Sequence, residues 1–246
     1  EQSPKAVQRI LEDVLDLPKE KQVEFAELLE KTTLAAVINA AKIVADRLDL
    51  LKGLELLVFE QKETLLERQQ LHKILAEQTW VFGEEFNLTV NDESLKEVLR
   101  KHLQLLGRKA EELEGLADVV RDDGSRGIVD MMLSRVVPQS HADEREHLII
   151  ELKRPKQPID ATAATQIKEY AFAVANDERF RDTKTRWVFW ALSNQVSEAV
   201  RKESHQRNRP EGLLYEDEEQ RITIWVRTWG QVIEACRARL HFFQER

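Results

Sequence analysis

The chain has 246 residues, 42% hydrophobic and 33% charged, with a net charge of -8. That is length enough for one large domain or two small ones with a buried core. The acidic balance argues against loose, non-specific adhesion to nucleic acid, while leaving room for a local basic groove.

The single cysteine, Cys236, excludes an internal disulfide framework and a multi-cysteine zinc site; in its helical pattern it reads as a small core residue. No apolar run approaches the roughly 20 residues of a membrane span, so no membrane partner is expected. The start Glu1-Gln2-Ser3-Pro4 lacks the basic and apolar regions of a signal peptide, and the single cysteine makes a cytoplasmic location the expectation. The first residue is not Met, so an upstream regulatory domain is also allowed for.

Residues 1 to 78 read as a helical packing or oligomerisation region. Ser3-Pro4 is a helix start, a cap followed by proline at the first helical position. Leu17-Pro18 punctuates, and a second helix is expected from about Lys19 to Glu30. Thr32 or Thr33 can cap the next one. There Leu34, Val37, Ala41, Val44, Leu48 and Leu51 recur at spacings of three and four, a narrow seam suited to one partner helix. Gly53 is expected to interrupt it, with a further helix from about Leu54 to Glu77 that takes in the polar stretch Glu60 to Gln70.

The pattern changes near Gln78. Trp80, Val81, Phe82 and Phe86 form an aromatic-rich cluster, and Asn91 to Leu106 reads as a helix capped by Asp92 or Ser94. Arg121 to Gly127 is a turn sequence with two glycines and two aspartates. Ile128 to Leu133 is strand-like, Pro138 to Glu146 loop-like, and His147 to Leu152 a buried strand stopped by Pro155 and Pro158. A helix from about Ala161 to Ala175, a strand at Thr185 to Leu192, a short helix within Val196 to Ser204, a strand at Arg221 to Val226 and a closing helix from Gly230 to Glu245 complete the chain. This order predicts an α/β fold with a mixed sheet over residues 79 to 246. Trp187, Trp190, Trp225 and Trp229 read as core anchors, and His102, His141, His147 and His205 show no metal-ligand spacing.

Three residues stand out chemically. Asp130 follows the glycine turn, and Glu151 and Lys153 leave the apolar strand about 20 residues later. Strand residues i and i+2 share a face, so Glu151 and Lys153 point together, and a hairpin can bring Asp130 beside them. Phosphodiester hydrolysis calls for this grouping. Carboxylates hold a divalent cation, the cation activates water and polarises phosphate, and an ammonium steadies the developing charge. A lone Glu-x-Lys is common as a plain salt bridge; the wholly apolar strand, the upstream Asp and the downstream helix carrying Gln166 and Tyr170 at i and i+4 distinguish this one.

The stretches Gly127-Ile128-Val129-Asp130 and Leu148-Ile149-Ile150-Glu151-Leu152-Lys153-Arg154-Pro155 resemble the core of the PD-(D/E)XK nuclease superfamily. Within it the chain looks like the Shedu-type nuclease domain of bacterial antiphage defence, on the helix ending Leu75-Ala76-Glu77-Gln78-Thr79-Trp80-Val81-Phe82-Gly83, the aspartate strand and Glu151-Leu152-Lys153. The likeness covers roughly residues 65 to 230. It departs at Val129, where the superfamily's nominal proline stands.

The resemblance implies a restriction-endonuclease-like mixed sheet flanked by helices. It also implies Mg²⁺- or Mn²⁺-dependent cleavage of DNA, and homo-oligomers. By position it implies Asp130 and Glu151 as metal ligands, the Leu152 carbonyl as a further candidate ligand, Lys153 as the catalytic lysine, and Glu84 or Glu85 as an acidic residue completing the site from the preceding helix. Gln166 and Tyr170 match a helix motif of some branches and would reach the site or the DNA backbone. Lys153, Arg154, Lys156, Lys168, Arg179, Arg181, Lys184 and Arg186 could neutralise phosphates. Two rival readings stand beside this one: a non-catalytic DNA-binding or sensor domain on a nuclease fold, and a helical oligomerisation scaffold.

Overall fold

The apolar runs around Val129, Ile149 and Val188, with the β-branched and aromatic run around Ile224, form the interior strands of a six-stranded mixed sheet. The structure, a computed structural model, describes residues 4–61, 71–109, 113, 116–121, 124, 126–136, 145–181, 185–219 and 221–241. The polar stretch up to Gln70, Asp122, Asp123 and Ser125 of the turn, Pro138 to Asp143, Asp182, Lys184 and the last residues of the closing helix lie outside the described residues. The chain divides into two compact units, Glu1–Leu50 with Phe243–Arg246, and Leu51–Phe242.

The first unit is helical: α1 (Pro4–Leu15), α2 (Lys19–Lys31) and most of α3 (Leu34–Glu55). Pro18 separates the first two, as expected of a residue with no N–H to donate. Thr33 caps α3, its Oγ1 accepting from Ala36 N at 3.2 Å. The seam is only half covered. Val37, Val44 and Leu48 are half-buried, while no described side chain of this unit is fully buried. Gly53 does not interrupt α3. A helical glycine costs only about 1 kcal/mol, and the burial of its neighbours Leu51 and Leu54, at 1% and 2% exposure, outweighs that. The helix then widens into a π-turn at Leu56–Glu60, and α4 resumes at His72–Glu77.

In the second unit the strands are β1 (Asn87–Ser94), β2 (Ile128–Val136), β3 (Arg145–Leu152), β4 (Thr185–Ser193), β5 (Leu213–Asp217) and β6 (Ile222–Thr228), in the sheet order β1-β2-β3-β4-β6-β5. The first three are antiparallel, β4 and β6 run parallel to β3, and β5 closes the far edge antiparallel to β6. Helices α5 (Leu95–Leu105), α6 (Ala161–Asn176), α7 (Glu178–Arg181), α8 (Glu198–Ser204) and α9 (Trp229–Leu240) flank it.

Two strands depart from expectation. Asn91 to Ser94 is the end of β1 rather than a helix start, and Ser94, not Asp92, caps α5 by accepting from Glu97 N. Asp92 lies within the strand at φ 53°. Both β1 and β5 are edge strands. β1 buries only Val90 fully, so neither carries the apolar alternation that marks a strand in sequence.

One face of the sheet carries Met132, Ile149, Phe189 and Ile224, packed with Val98 and Leu99 of α5 and Ile167, Ala171 and Val174 of α6. The other face is buried over β2 and β3 but only half-buried over β4 and β6. Trp187 and Trp229 are fully buried anchors, and Cys236 is a buried core residue. Trp190 and Trp225, expected as anchors too, are half-exposed on that second face. Among the described residues no helix is long and apolar enough to cross a membrane.

Inside the first face sits a polar chain. His147 Nδ1 hydrogen-bonds Ser134 Oγ at 2.7 Å, and its Nε2 bonds His102 Nδ1 at 3.0 Å. Trp187 and Phe180 enclose His102. Burial favours both rings neutral, pulling His102 from the ordinary 6.5 to about 4 and His147 well below its usual value, with Arg145 adding to both. The neutral rings' stabilisation is therefore whole above pH 6.5 and is lost as pH falls from there toward 4. For His102 alone it amounts to roughly 3 kcal/mol. Urea unfolding should show the protein markedly less stable at pH 4.5 than at pH 7.5, with a smaller difference in His102→Leu; equal pH dependence in the two would contradict the assignment.

Candidate functional site

The site grows from the β2–β3 hairpin. Met131 pairs with Ile150, so one further step of the register sets Asp130 against Glu151. Directly opposed residues of an antiparallel pair share a face, with Cβ atoms about 4.5–5.5 Å apart. Both carboxylates are inside the protein, at 2% and 4% exposure. The Leu152 N–H donates to Asp130 Oδ2 at 2.7 Å. This bond ties the end of β3 to the Asp130 side chain.

Lys153 completes the cluster. Its Nζ donates to Glu151 Oε1 at 3.0 Å and to Gln166 Oε1 at 2.7 Å. An ammonium has no lone pair, so the Gln166 oxygen must face it, and the amide nitrogen faces the other way. That nitrogen donates to Glu151 Oε1 and to Tyr170 Oη, both at 2.9 Å. Gln166 and Tyr170 stand on one face of α6, one turn apart, and Asp160 starts that helix by accepting from Ala163 N at 2.9 Å. The structure thus brings Asp130, Glu151, Lys153, Gln166 and Tyr170 together. Leu152 joins through its backbone, its side chain being buried on the opposite face.

Burial, and then the charge of Glu151, raise the pKa of Tyr170. The phenol keeps its proton through the physiological range. Its oxygen accepts from Gln166, so its own O–H remains for a second partner. Arg121 lies over the ring, 5.7 Å from the centroid, and is held by Glu169 at 3.0 Å.

Glu84 and Glu85 are not brought to this cluster. They sit exposed in the turn between the short 3₁₀ segment Thr79–Val81 and β1, not on a helix. Asn87 pairs with Ser134, and Glu85 lies 3.8 Å from Arg135. Arg135 is five residues beyond Asp130 on β2, roughly 17 Å along the strand. The chain enters the β1–β2 ladder from the end away from the cluster, and this carries both glutamates away from it.

The wider basic set is partly spoken for. Lys168 pairs with Glu203, Arg179 with Asp177 at 2.5 Å, and Arg186 with Glu146 at 3.5 Å.

His72 is a site neighbour that nothing in the sequence signals. It is buried on α4, and its Nε2 donates to the Asp130 backbone carbonyl at 2.6 Å. Fifty-eight residues separate the two, and a solitary histidine has no spacing to reveal such a role. Asp92 is another. Asn91 and Glu93 pair with Met131 and Val129, which brackets Asp92 opposite Asp130.

Two buried, opposed carboxylates form a hard-oxygen donor set of the kind Mg²⁺ and Mn²⁺ prefer. Among the described residues no group of three or more His, Cys, Asp or Glu could hold a metal ion. An ion here would draw on Asp130 and Glu151 and fill its shell with the Leu152 carbonyl, water and ligand oxygens. That is the usual habit of Mg²⁺, which takes one or two carboxylates and keeps several waters. No protein-family model matches the chain, and no curated protein matches it.

At Gly127 the backbone passes close against the Tyr170 ring. A Cβ there would lie 2.7 Å from Tyr170 Cε1 and 3.0 Å from Leu95 Cδ1, so the ring would have to move. Gly127→Ala should cost about 1–3 kcal/mol in urea unfolding. The double variant with Tyr170→Leu should recover most of that loss; full additivity of the two changes would show that the ring is not what the glycine accommodates.

Proposed function

We propose that this protein is a metal-dependent deoxyribonuclease that hydrolyses phosphodiester bonds, of the PD-(D/E)XK kind and on a restriction-endonuclease-like sheet. The observation that carries the reading is the joining of Asp130, Glu151 and Lys153 in one buried hydrogen-bonded cluster at the exit of an apolar hairpin. Placing two carboxylates and an ammonium inside a fold is costly. A single salt bridge would not need the second carboxylate opposite the first, nor an amide spanning ammonium, carboxylate and phenol.

In this reading Asp130 and Glu151, with the Leu152 carbonyl, hold Mg²⁺ or Mn²⁺. A bound divalent ion supplies a Lewis acid for the phosphate and a source of hydroxide at neutral pH. The Lys153 ammonium, fixed by Glu151 and Gln166, faces the negative charge that builds on the phosphate as the bond breaks. Gln166 holds lysine, carboxylate and phenol in register, which keeps the ammonium from collapsing fully onto Glu151. Tyr170 stays protonated and offers its O–H to a phosphate oxygen or an ordered water. Arg121, beside Tyr170, extends the positive side of the site toward the DNA backbone.

The likeness to Shedu-type sequences supports a place in bacterial antiphage defence. The helical unit supports association between copies. Val7, Ile10, Leu11 and Leu15 are 48 to 70% exposed, a larger apolar row than a solitary soluble helix usually shows to water.

Linear and circular DNA incubated with Mg²⁺ or Mn²⁺ should be cut by the wild type. Lys153→Ala and Asp130→Ala should each lose about 100-fold or more of that rate, and Gln166→Ala should lose less. Cleavage that survives both of the first two variants would overturn this reading.

A further inference from the structure

The face of the sheet opposite Asp130 and Glu151 carries a second concave site. It lies over β4, β6 and β5, and burial alternates between complete and partial along most of β4 and β6. Trp190 and Trp225 are register partners on neighbouring parallel strands. Both indoles therefore stand on this face, half-exposed. The Arg227 guanidinium lies over both rings, 4.5 Å from the centroid of Trp225 and 5.5 Å from that of Trp190. These three side chains floor a cleft of about 700 Å³, which is within the ordinary range for a small-molecule site.

Arg227 is the informative member. Its surroundings are dry enough that burial holds its pKa below the usual arginine value. Its Nε has no hydrogen-bond partner among the described residues. A guanidinium stacks through its face and donates in its plane, so one held against two indoles still has its in-plane donors to offer. Arg186 and Arg221 also line the cleft, both at the end where β4 and β6 begin. From there to the tryptophan pair is four residues, roughly 13 Å along the strands. A base, its sugar and the reach of an arginine side chain fill that span.

We infer that this cleft binds a free nucleotide, its base stacked on the Trp190–Trp225–Arg227 layer and its phosphate turned toward Arg186 and Arg221. Stacking on aromatic and guanidinium faces is how proteins hold nucleobases without reading their sequence. The charge of the lining selects a small ligand over a strand. Glu146, which pairs with Arg186, and Glu216, Asp217 and Glu218 share the wall with the three arginines, and such a mixture offers no continuous track for a polyanion. Those carboxylates suit ribose hydroxyls and base amino groups, which need acceptors. The site shares no residue with the Asp130–Glu151 cluster, so the inference does not depend on cleavage activity.

The probe is AMP bearing an N-methylanthraniloyl fluorophore, followed by anisotropy on the full chain, with unlabelled AMP and a short oligothymidylate as competitors. The expected result is saturable binding that AMP displaces and that Arg227→Gln and Trp225→Leu each weaken by about tenfold or more. Trp225→Phe and Arg227→Lys, which keep a ring and a cation, should lose less, and they decide the matter if the harsher variants fail to fold. No saturable binding to the wild type would overturn the inference, and so would binding undiminished in the variants. Displacement by oligothymidylate at a lower nucleotide concentration than AMP would also overturn it, making this a strand-binding surface instead.

Discussion

Everything at the candidate centre depends on holding two carboxylates next to each other away from water. Asp130 and Glu151 face each other across the β2–β3 pair, and like charges at that spacing repel. The protein offsets the repulsion with donors on both sides. The Leu152 N–H serves Asp130; Lys153 and the Gln166 amide both serve Glu151. Each donor comes from a part of the fold that cannot easily move. Leu152 ends a strand paired on both sides, and Gln166 is inside a helix packed on the sheet. A polar cluster with donors fixed this way has little freedom to rearrange, and that suits a site whose geometry must exist before its ligand arrives.

The two faces of the sheet divide the labour. The face with α5 and α6 is closed and holds the carboxylates at one end and the His102–His147–Ser134 chain at the other. The second face is sealed over β2 and β3, which keeps the hairpin rigid, and is half-open over β4 and β6. His72 links α4 to the Asp130 carbonyl, so the helix ahead of the sheet helps fix the strand that bears the aspartate. The helical unit of residues 1 to 50 is built differently. Its apolar side chains line its surface and none of those described is fully buried, which makes it a poor core and a good contact surface.

The central elements were legible in the sequence because their signals are local. Leu148-Ile149-Ile150 can only be a buried strand or a short piece of buried helix, and the flanking prolines favour the strand. The helix of Gln166 and Tyr170 starts where Asp160 can cap it. Glu151 and Lys153 share a face by strand parity alone. The edges were not legible. β1 reads Asn-Leu-Thr-Val-Asn-Asp-Glu-Ser, a polar strand fixed by pairing with β2 rather than by burying one side of itself, and Ser94 belongs equally well to a cap. Gly53 looked like a stop because its cost is visible in sequence, while the burial of Leu51 and Leu54 is not. The family resemblance alone placed Glu84 or Glu85 at the site, as an acidic residue from the preceding helix. The turn that replaces it carries them to the other end of the ladder. His72 reaches Asp130, and Asp92 comes to lie opposite it in the ladder, only through tertiary pairing, and no spacing rule announces such a placement.

The central claim is that Asp130 and Glu151 jointly hold a divalent cation, and calorimetric titration with Mn²⁺ tests it most directly, because it requires neither the right DNA nor an activating partner. The account predicts a saturable binding event in the wild type that is abolished in both Asp130→Asn and Glu151→Gln, with the variants otherwise folded as judged by circular dichroism. A wild type that takes up no Mn²⁺, or one whose binding is untouched by either substitution, would contradict it.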